Sequence, residues 1–316
     1  MYLDYYRLTE KPFQITADPK FLWLGDQYQE ALAVLQYGIL DNKGFLLLTG
    51  DVGTGKTTLL NALTSTLGEN VFVAMVTDPG LTKMDFFNFV ANLFGIETIF
   101  KSKGEFLIYL KKFLVSLHNE NKQALLIIDE AQHLTQKMLE EVRLLSNIEK
   151  QDTKLINIFF VGQSEFNEII LRPRNRAIRQ RIAINYNILP LSEPETGLYI
   201  RFRLKVAGGD DSLFTDRAVK AVFKFSNGHP RLINIVCDQA LLTGYVQGVG
   251  NIDEKIVVEC ANELKISTPF PIHTSRAMPE SGYLRTEPQN HGTPLQPAAP
   301  ENSRFSVIQR FFRRFR

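Results

Sequence analysis

The sequence predicts an α/β protein: a parallel sheet covered on both faces by helices, followed by a small all-helical unit. Three observations carry this reading. Five short apolar runs read as buried strands: Phe45–Thr49, Val71–Val76, Ala124–Asp129, Leu155–Val161 and Ile184–Leu189. Amphipathic stretches alternate with them, at Thr57–Leu67, Lys83–Leu93, Gly104–Leu117 and Gln136–Asn147, and strands alternating with helices pair in parallel. After Leu189 the strand-like runs stop, and only helical periods continue, at Glu193–Val206, Asp216–Phe225, Leu232–Gln247 and Glu254–Leu264.

The 316 residues are 44% hydrophobic and 22% charged, the composition of a globular chain with a sizeable core. Runs such as Phe45–Leu48 and Ala124–Ile128 are far shorter than the roughly 20 residues that span a bilayer. The N-terminus, MYLDYYRLTEK, lacks the basic-then-apolar pattern of a secretory signal. Cys237 and Cys260 alone make no disulfide framework, so a reducing, cytoplasmic setting is expected. The five histidines and two cysteines are scattered without metal-ligand spacing. From Lys265 onward eight basic residues stand against three acids, which gives that segment +5 and leaves −3 for residues 1–264. The negative body disfavours DNA, whose binding is dominated by cations facing phosphates.

Composition breaks near Ile266. Residues 267–303 hold seven of the fourteen prolines and read as a disordered linker. Residues 304–316 are rich in arginine and phenylalanine. On a helix, Phe305, Ile308, Phe312 and Phe315 share a face and Arg310, Arg313 and Arg314 lie to the side or opposite. That is the composition of an interfacial helix on an anionic membrane; docking on a partner and a solvated end are the competing readings. The expected division is therefore 1–191 for the α/β domain, 192–266 for a helical lid, 267–303 for the linker and 304–316 for the tail.

The segment Gly50-Asp51-Val52-Gly53-Thr54-Gly55-Lys56-Thr57 fits G-x-x-x-x-G-K-[ST], between a predicted strand and a predicted helix. Glycines let consecutive backbone N–H groups turn inward around phosphates, and the helix N-terminus adds its dipole. Lys56 would sit on the β and γ phosphates of ATP and the Thr57 hydroxyl on Mg²⁺, with Thr58 completing the first turn. Asp129 and Glu130 end a buried run, where α/β sheets bind ligands. Asp129 would hold Mg²⁺ through water, and Glu130 would deprotonate the attacking water. Gln163, after the fourth strand, would contact the γ-phosphate or that water, or else is a surface loop residue. Arg172, Arg174, Arg176, Arg179 and Arg181 form a cluster before the fifth strand. It reads as a solvated face or as the source of an arginine finger acting on a neighbouring subunit, with Arg176, Arg179 and Arg181 as candidates. Arg231 follows Pro230 at the start of a helix, poorly placed for the dipole, and is expected to reach bound phosphate.

Together these residues resemble an AAA+ ATPase. The finer match is to the ExeA/GspA group, the general secretion pathway protein A family. Met1-Tyr2, Lys11-Pro12-Phe13, Asp18-Pro19, Phe21-Leu22, Glu30-Ala31-Leu32, Gly38-Ile39 and Gly44-Phe45 carry it. So do Asp129-Glu130-Ala131-Gln132, Val161-Gly162-Gln163, Gln180-Arg181-Ile182, Leu189-Pro190-Leu191, Gly228, Pro230-Arg231 and Ile233-Asn234. The resemblance covers roughly residues 1–265. It implies a P-loop αβα sandwich with a five-stranded sheet in order 5-1-4-3-2 and a helical lid. It also implies Mg²⁺-dependent ATP hydrolysis and a homo-oligomer, ring or filament. Asp51 stands where the pattern has Glu, Tyr28 where it has His, and Asn175 where it has an apolar residue. Secretion-type members carry a membrane helix and a periplasmic region after the ATPase. The linker and basic tail here resemble instead the short members linked to exosortase, exopolysaccharide or pilus systems, with envelope-system proteins as partners and a peripheral contact at the inner face of the membrane. The alternative function is an ATP-dependent DNA-binding adaptor similar to the transposition ATPases of the TniB/MuB type.

Overall fold

The computed structural model describes residues 1–16, 18–150 and 153–266. The expected linker and amphipathic tail lie outside these residues. An N-terminal segment holds a short helix, α1 (Tyr2–Tyr5), and a 3-10 turn (Pro19–Phe21), and leads into α2 (Asp26–Leu40). Then come β1 (Phe45–Gly50), α3 (Lys56–Thr66), β2 (Val71–Val76), α4 (Lys83–Leu93), α5 (Lys103–Asn119), β3 (Gln123–Ile128) and α6 (Gln136–Leu145). They are followed by β4 (Ile156–Gly162), α7 (Glu165–Leu171), α8 (Arg176–Arg179) and β5 (Ile182–Ile188). Four helices complete the described chain: α9 (Glu193–Val206), α10 (Asp216–Ser226), α11 (Pro230–Val246) and α12 (Glu254–Glu263). Side-chain caps set several starts: Thr82, Ser102, Thr135, Thr215 and Asp253 each accept a backbone N–H of the helix they precede.

The five strands are all parallel and run in the order β2-β3-β4-β1-β5. Read from the other edge, this is the expected 5-1-4-3-2. Every residue of β1 and β4 is buried, as strands covered on both faces require. Alternation along β1 divides the interior. Leu46 and Leu48 join α2, α3 and the lid on one side; Phe45 and Leu47 join α4, α5 and α6 on the other. Full burial of one such side chain contributes about 2 kcal/mol, so β1, with four of them, is pinned between two cores. The loop that leaves it inherits that rigidity.

The edge strand β5 departs from its predicted bounds. It begins at Ile182, opposite Phe45, before an irregularity between Phe45 and Leu46, and it ends at Ile188. Leu189, predicted inside it, is exposed. One face of β5 is open, with Ala183, Asn185 and Asn187 exposed, so the apolar run that marks a central strand is missing.

The lid is stitched to the sheet and to the N-terminus. Leu191, just past β5, donates its N–H to Gly228 O at 2.9 Å. Gly228 has φ +74°, and a Cβ there would lie 1.8 Å from Leu191 O; only glycine allows this approach. The Tyr2 hydroxyl donates to Asp238 Oδ1 at 2.6 Å, the Tyr6 hydroxyl to Val249 O at 3.1 Å, and the Thr9 N–H to Ala207 O at 2.8 Å. Among the described residues no helix is long and apolar enough to cross a membrane.

Candidate functional site

The strand register brings the candidate residues to one edge. Thr49 of β1 lies opposite Gly162 of β4, and Ile128 of β3 opposite Phe160. The chain therefore leaves β1 into residues 51–55, β3 into Asp129 and Glu130, and β4 into Gln163, all at the carboxyl edge, where open α/β sheets bind ligands.

The glycine loop wraps the Lys56 ammonium. Lys56 Nζ donates to Gly50 O at 2.8 Å and Asp51 O at 2.9 Å. Gly53 (φ +80°) and Gly55 (φ +89°) take the left-handed conformation, and Gly55 forms the N-cap of α3. The side chain of Lys56 is 8% exposed. Burial lowers its pKa, and the carboxylates of Glu130, Asp129 and Asp51 oppose that shift. Asp129 is 6% exposed and its pKa is raised, chiefly by burial; the Glu130 N–H, the Lys56 charge and the Thr57 hydroxyl pull the other way. The buried ammonium and carboxylate are thus held at a cost, which a bound anion and cation would relieve. Val52 and Thr57 are exposed, Thr58 half-buried, and Thr54 buried with its hydroxyl on Asp51 O.

Glu130 sits in the left-handed region, φ 49° and ψ 39°, a conformation that costs a non-glycine residue about 1 kcal/mol. Asp129 Oδ1 accepts the Glu130 N–H at 2.8 Å and holds the turn. The Glu130 carboxylate accepts from Gln132 Nε2 and, at 3.3 Å, from Gln163 Nε2. Gln132 Oε1 accepts the Gln163 N–H at 3.0 Å. Gln132 therefore ties the end of β4 to the carboxylate after β3. The sequence marks Gln132 only as part of the Asp129-Glu130-Ala131-Gln132 motif; its role as a tie shows only where one amide faces two loops at once.

The lid closes on the same loop. The Arg231 N–H donates to Gly53 O at 3.2 Å, and a Cβ on Gly53 would come 2.9 Å from Arg231 Cβ. Asp51 accepts from the Ser164 hydroxyl at 2.6 Å and lies 3.9 Å from His229 Nε2. Tyr28 of α2 donates to Thr54 O. A cleft of about 380 Å³ lies between the glycine loop, Glu130 and Gln163 on one side, and residues 14–16, 18 and 21–23 with lid residues Tyr199, Arg203, Arg231 and Asn234 on the other. That volume is in the range of small-molecule sites.

The candidate finger residues lie elsewhere. Arg176 and Arg179 face solvent. Arg181 donates to Ser146 Oγ at 2.8 Å and Asn147 Oδ1 at 2.6 Å. It precedes Ile182, which pairs with Phe45, whereas the glycine loop leaves Gly50, which pairs with Ile188. At about 3.3 Å per residue, Arg181 is roughly 20 Å from the loop of its own chain. Asn175, the polar substitute in the cluster, is buried, donating to Ile169 O and accepting from Gln136 Nε2, both at 2.6 Å.

The residues present fit a nucleoside triphosphate: a backbone cradle opened by two left-handed glycines, a buried ammonium, and an arginine on the facing wall. They also fit Mg²⁺, a hard cation that takes oxygen donors and keeps much of its water. Thr57 and Asp129 supply such donors. No group of three or more His, Cys, Asp or Glu able to hold a metal occurs among the described residues.

Comparison with known proteins agrees with this geometry. The family described as "AAA domain" matches residues 39–170. General secretion pathway protein A of Aeromonas hydrophila is 38% identical over 250 residues, 78% of this chain and 46% of that protein; the chain thus spans about half the length of that relative. Among solved structures, the Aeropyrum pernix ORC2 protein in its ADPNP–ADP complexes has a TM-score of 0.62 at 19% identity, over 80% of this chain and 71% of that one. The Thermotoga maritima RuvB Holliday junction branch migration motor has a TM-score of 0.51 at 19% identity, over 77% and 71%. These two share the fold.

Proposed function

We propose, from the premise that this chain is an AAA+ protein of the ExeA/GspA group, that it binds ATP with Mg²⁺ and hydrolyses it as a homo-oligomer. Its work is to serve assembly of a cell-envelope secretion, exopolysaccharide or pilus system. The observation that carries the reading is the convergence of Lys56, Glu130 and Gln163 on one cleft at the carboxyl edge of the sheet, with Asp129 and Gln132 hydrogen-bonded behind them.

Each residue then has a distinct task. The backbone of residues 51–55 and the Lys56 ammonium bind and orient the phosphates. Bound Mg²⁺, held by the Thr57 hydroxyl and through water by Asp129, would neutralise phosphate charge. Glu130 accepts the proton of the attacking water; its pre-set backbone and its two amide partners fix where that carboxylate points. Gln163 anchors the network on the phosphate side. Arg231 brings positive charge from the lid. An arginine of the 176–181 segment belongs to the neighbouring subunit's site, consistent with its distance from the loop of its own chain. Nucleotide binding thereby sets both the lid position and the subunit contact, the two movements through which such a protein does work on a partner.

The test is Glu130→Gln. It should keep ATP affinity and lower turnover at least about 100-fold, because an amide cannot accept the proton. Turnover at the wild-type rate would overturn the assignment of the base.

A further inference from the structure

Arg203 has no task in that mechanism, yet it is among the most buried charged groups in the molecule, at 5% exposure. It sits on α9, in the lid. Among the described residues it makes no ion pair. Instead its Nε donates to Pro12 O at 2.5 Å, Nη2 to Gln14 O at 3.2 Å and Nη1 to the Tyr199 hydroxyl at 2.7 Å. Its guanidinium lies 4.8 Å from the centre of the Phe21 ring and 5.5 Å from that of Tyr199. A cation buried on carbonyls, a hydroxyl and ring faces, without a carboxylate, is costly. Here it holds Pro12, Gln14 and Phe21 against the lid. The Tyr199 hydroxyl donates to Asn234 Oδ1 at 3.0 Å, and Asn234 Nδ2 donates to Gln14 O at 3.4 Å, closing the ring of contacts.

The held segment is a wall of the cleft. Gln14, Ile15, Thr16, Asp18, Phe21, Leu22 and Trp23 line it. Trp23 stands edge-on to both Tyr199, at 6.2 Å, and Tyr28, at 6.5 Å, and Tyr28 reaches back to Thr54 in the loop. From Arg203 the contacts therefore run through aromatic rings to the phosphate end.

We infer that Arg203 is a positioning residue: it pins Pro12, Gln14 and Phe21 to the lid so that Gln14–Thr16 and Phe21–Trp23 form the wall for the nucleoside end of the ligand, and so it sets the rate of nucleotide release. The inference rests on the reading of the cleft as a nucleotide site. It predicts a division of labour that general loosening of the fold does not. The glycine loop and Lys56 hold phosphates whether or not the pinned segment is in place, and the nucleoside end needs the pin.

The experiment compares two probes, ATP and inorganic tripolyphosphate, on the full chain, measuring dissociation rates and equilibrium affinities. Arg203→Met keeps most of the volume and removes the donors. Phe21→Leu removes the ring face from the other partner and leaves the arginine intact. Both variants should release ATP about tenfold faster and bind tripolyphosphate within about twofold of wild type. Arg203→Lys, which keeps the charge but cannot fork to three acceptors, should fall between them and wild type. Equal weakening of both probes would overturn the proposal, since the arginine would then act on the phosphates or on the fold as a whole. Unchanged ATP release in Phe21→Leu would overturn it even if Arg203→Met fails to fold. A wild-type chain that binds neither probe would remove the nucleotide reading itself, a result distinct from the other two.

Discussion

The two walls of the cleft are built on opposite plans. The sheet wall is local: consecutive residues 50–57 make the loop, and Asp129, Glu130 and Gln163 leave strands whose register is fixed by a fully buried core. The lid wall is assembled from afar: Arg231 rests on Gly53, Arg203 on Pro12 and Gln14, and Leu191 on Gly228. A wall carried on central strands has its geometry set before any ligand arrives. A wall made of single contacts between distant segments has a geometry that can be lost one contact at a time. The first is suited to chemistry, which tolerates little misplacement, and the second to movement.

The comparison would be incomplete if a neighbour supplied a third wall. An alanine at the acting residue among Arg176, Arg179 and Arg181 should then lower turnover about 10³-fold. Mixing that inactive protein with Glu130→Gln should restore part of it. Full activity of a dilute monomer, followed by phosphate release across a dilution series, would return these arginines to a surface role. On the sheet wall, Lys56→Ala should weaken ATP binding about 100-fold, the loss of a charge-assisted contact in a buried setting, with no change in circular dichroism. A fluorescent ATP analogue reads this directly.

The lid wall should fail differently. Gly228→Ala places a Cβ against Leu191 O in a left-handed conformation, and the strain should cost about 3 kcal/mol of stability in urea unfolding. Loss of ATP affinity in that variant should track loss of structure. Smallest is Asp129→Asn, which sharpens the cost of the sheet wall. Burial raises the Asp129 pKa, so the folded state takes up its proton at higher pH than the unfolded chain does. The penalty is full above the folded pKa and disappears as pH falls below the ordinary carboxylate value. At neutral pH the nucleotide-free variant should therefore be more stable than wild type by about 1 kcal/mol, and the gain should shrink on acidification through the carboxylate range. Thermal unfolding at several pH values tests both the sign and the trend.

The same division explains what could be read from the sequence. The apolar runs at Val71–Val76 and Ala124–Asp129 announce strands, the first an edge and the second internal, and Lys83–Leu93 has the bounds predicted for it, because Thr82 caps its start. The phosphate loop is legible since its chemistry is written in consecutive residues. Ala183 and Asn185, both exposed, blur the start of β5. The segment before α2, and α2 itself, went unassigned: residues 1–24 have aromatic side chains but no sustained period, since they are shaped by the lid they lie on. Tyr28 was legible only as a departure from a family pattern. Arg203 gave no signal at all within RFRLK, one basic residue beside two others, because its meaning lies in the carbonyls of Pro12 and Gln14. Gln132 belongs with it, a polar residue whose role needs two loops in place.

The bond between Tyr2 and Asp238 joins residues 236 apart in the chain. During synthesis, at roughly 5–20 residues per second, Tyr2 leaves the ribosome at least about ten seconds before its partner exists. Through that interval the aromatic residues at 2, 5 and 6 have no lid to cover them, while the sheet they precede can already collapse. Contacts of such separation close late and slowly. The cleft is therefore finished only when α11 arrives with Arg231 and Asn234, and a shorter chain carries the glycine loop with that wall missing. The N-terminal tyrosines find their partners, Asp238 and Val249, only after every lining residue of the cleft has been made.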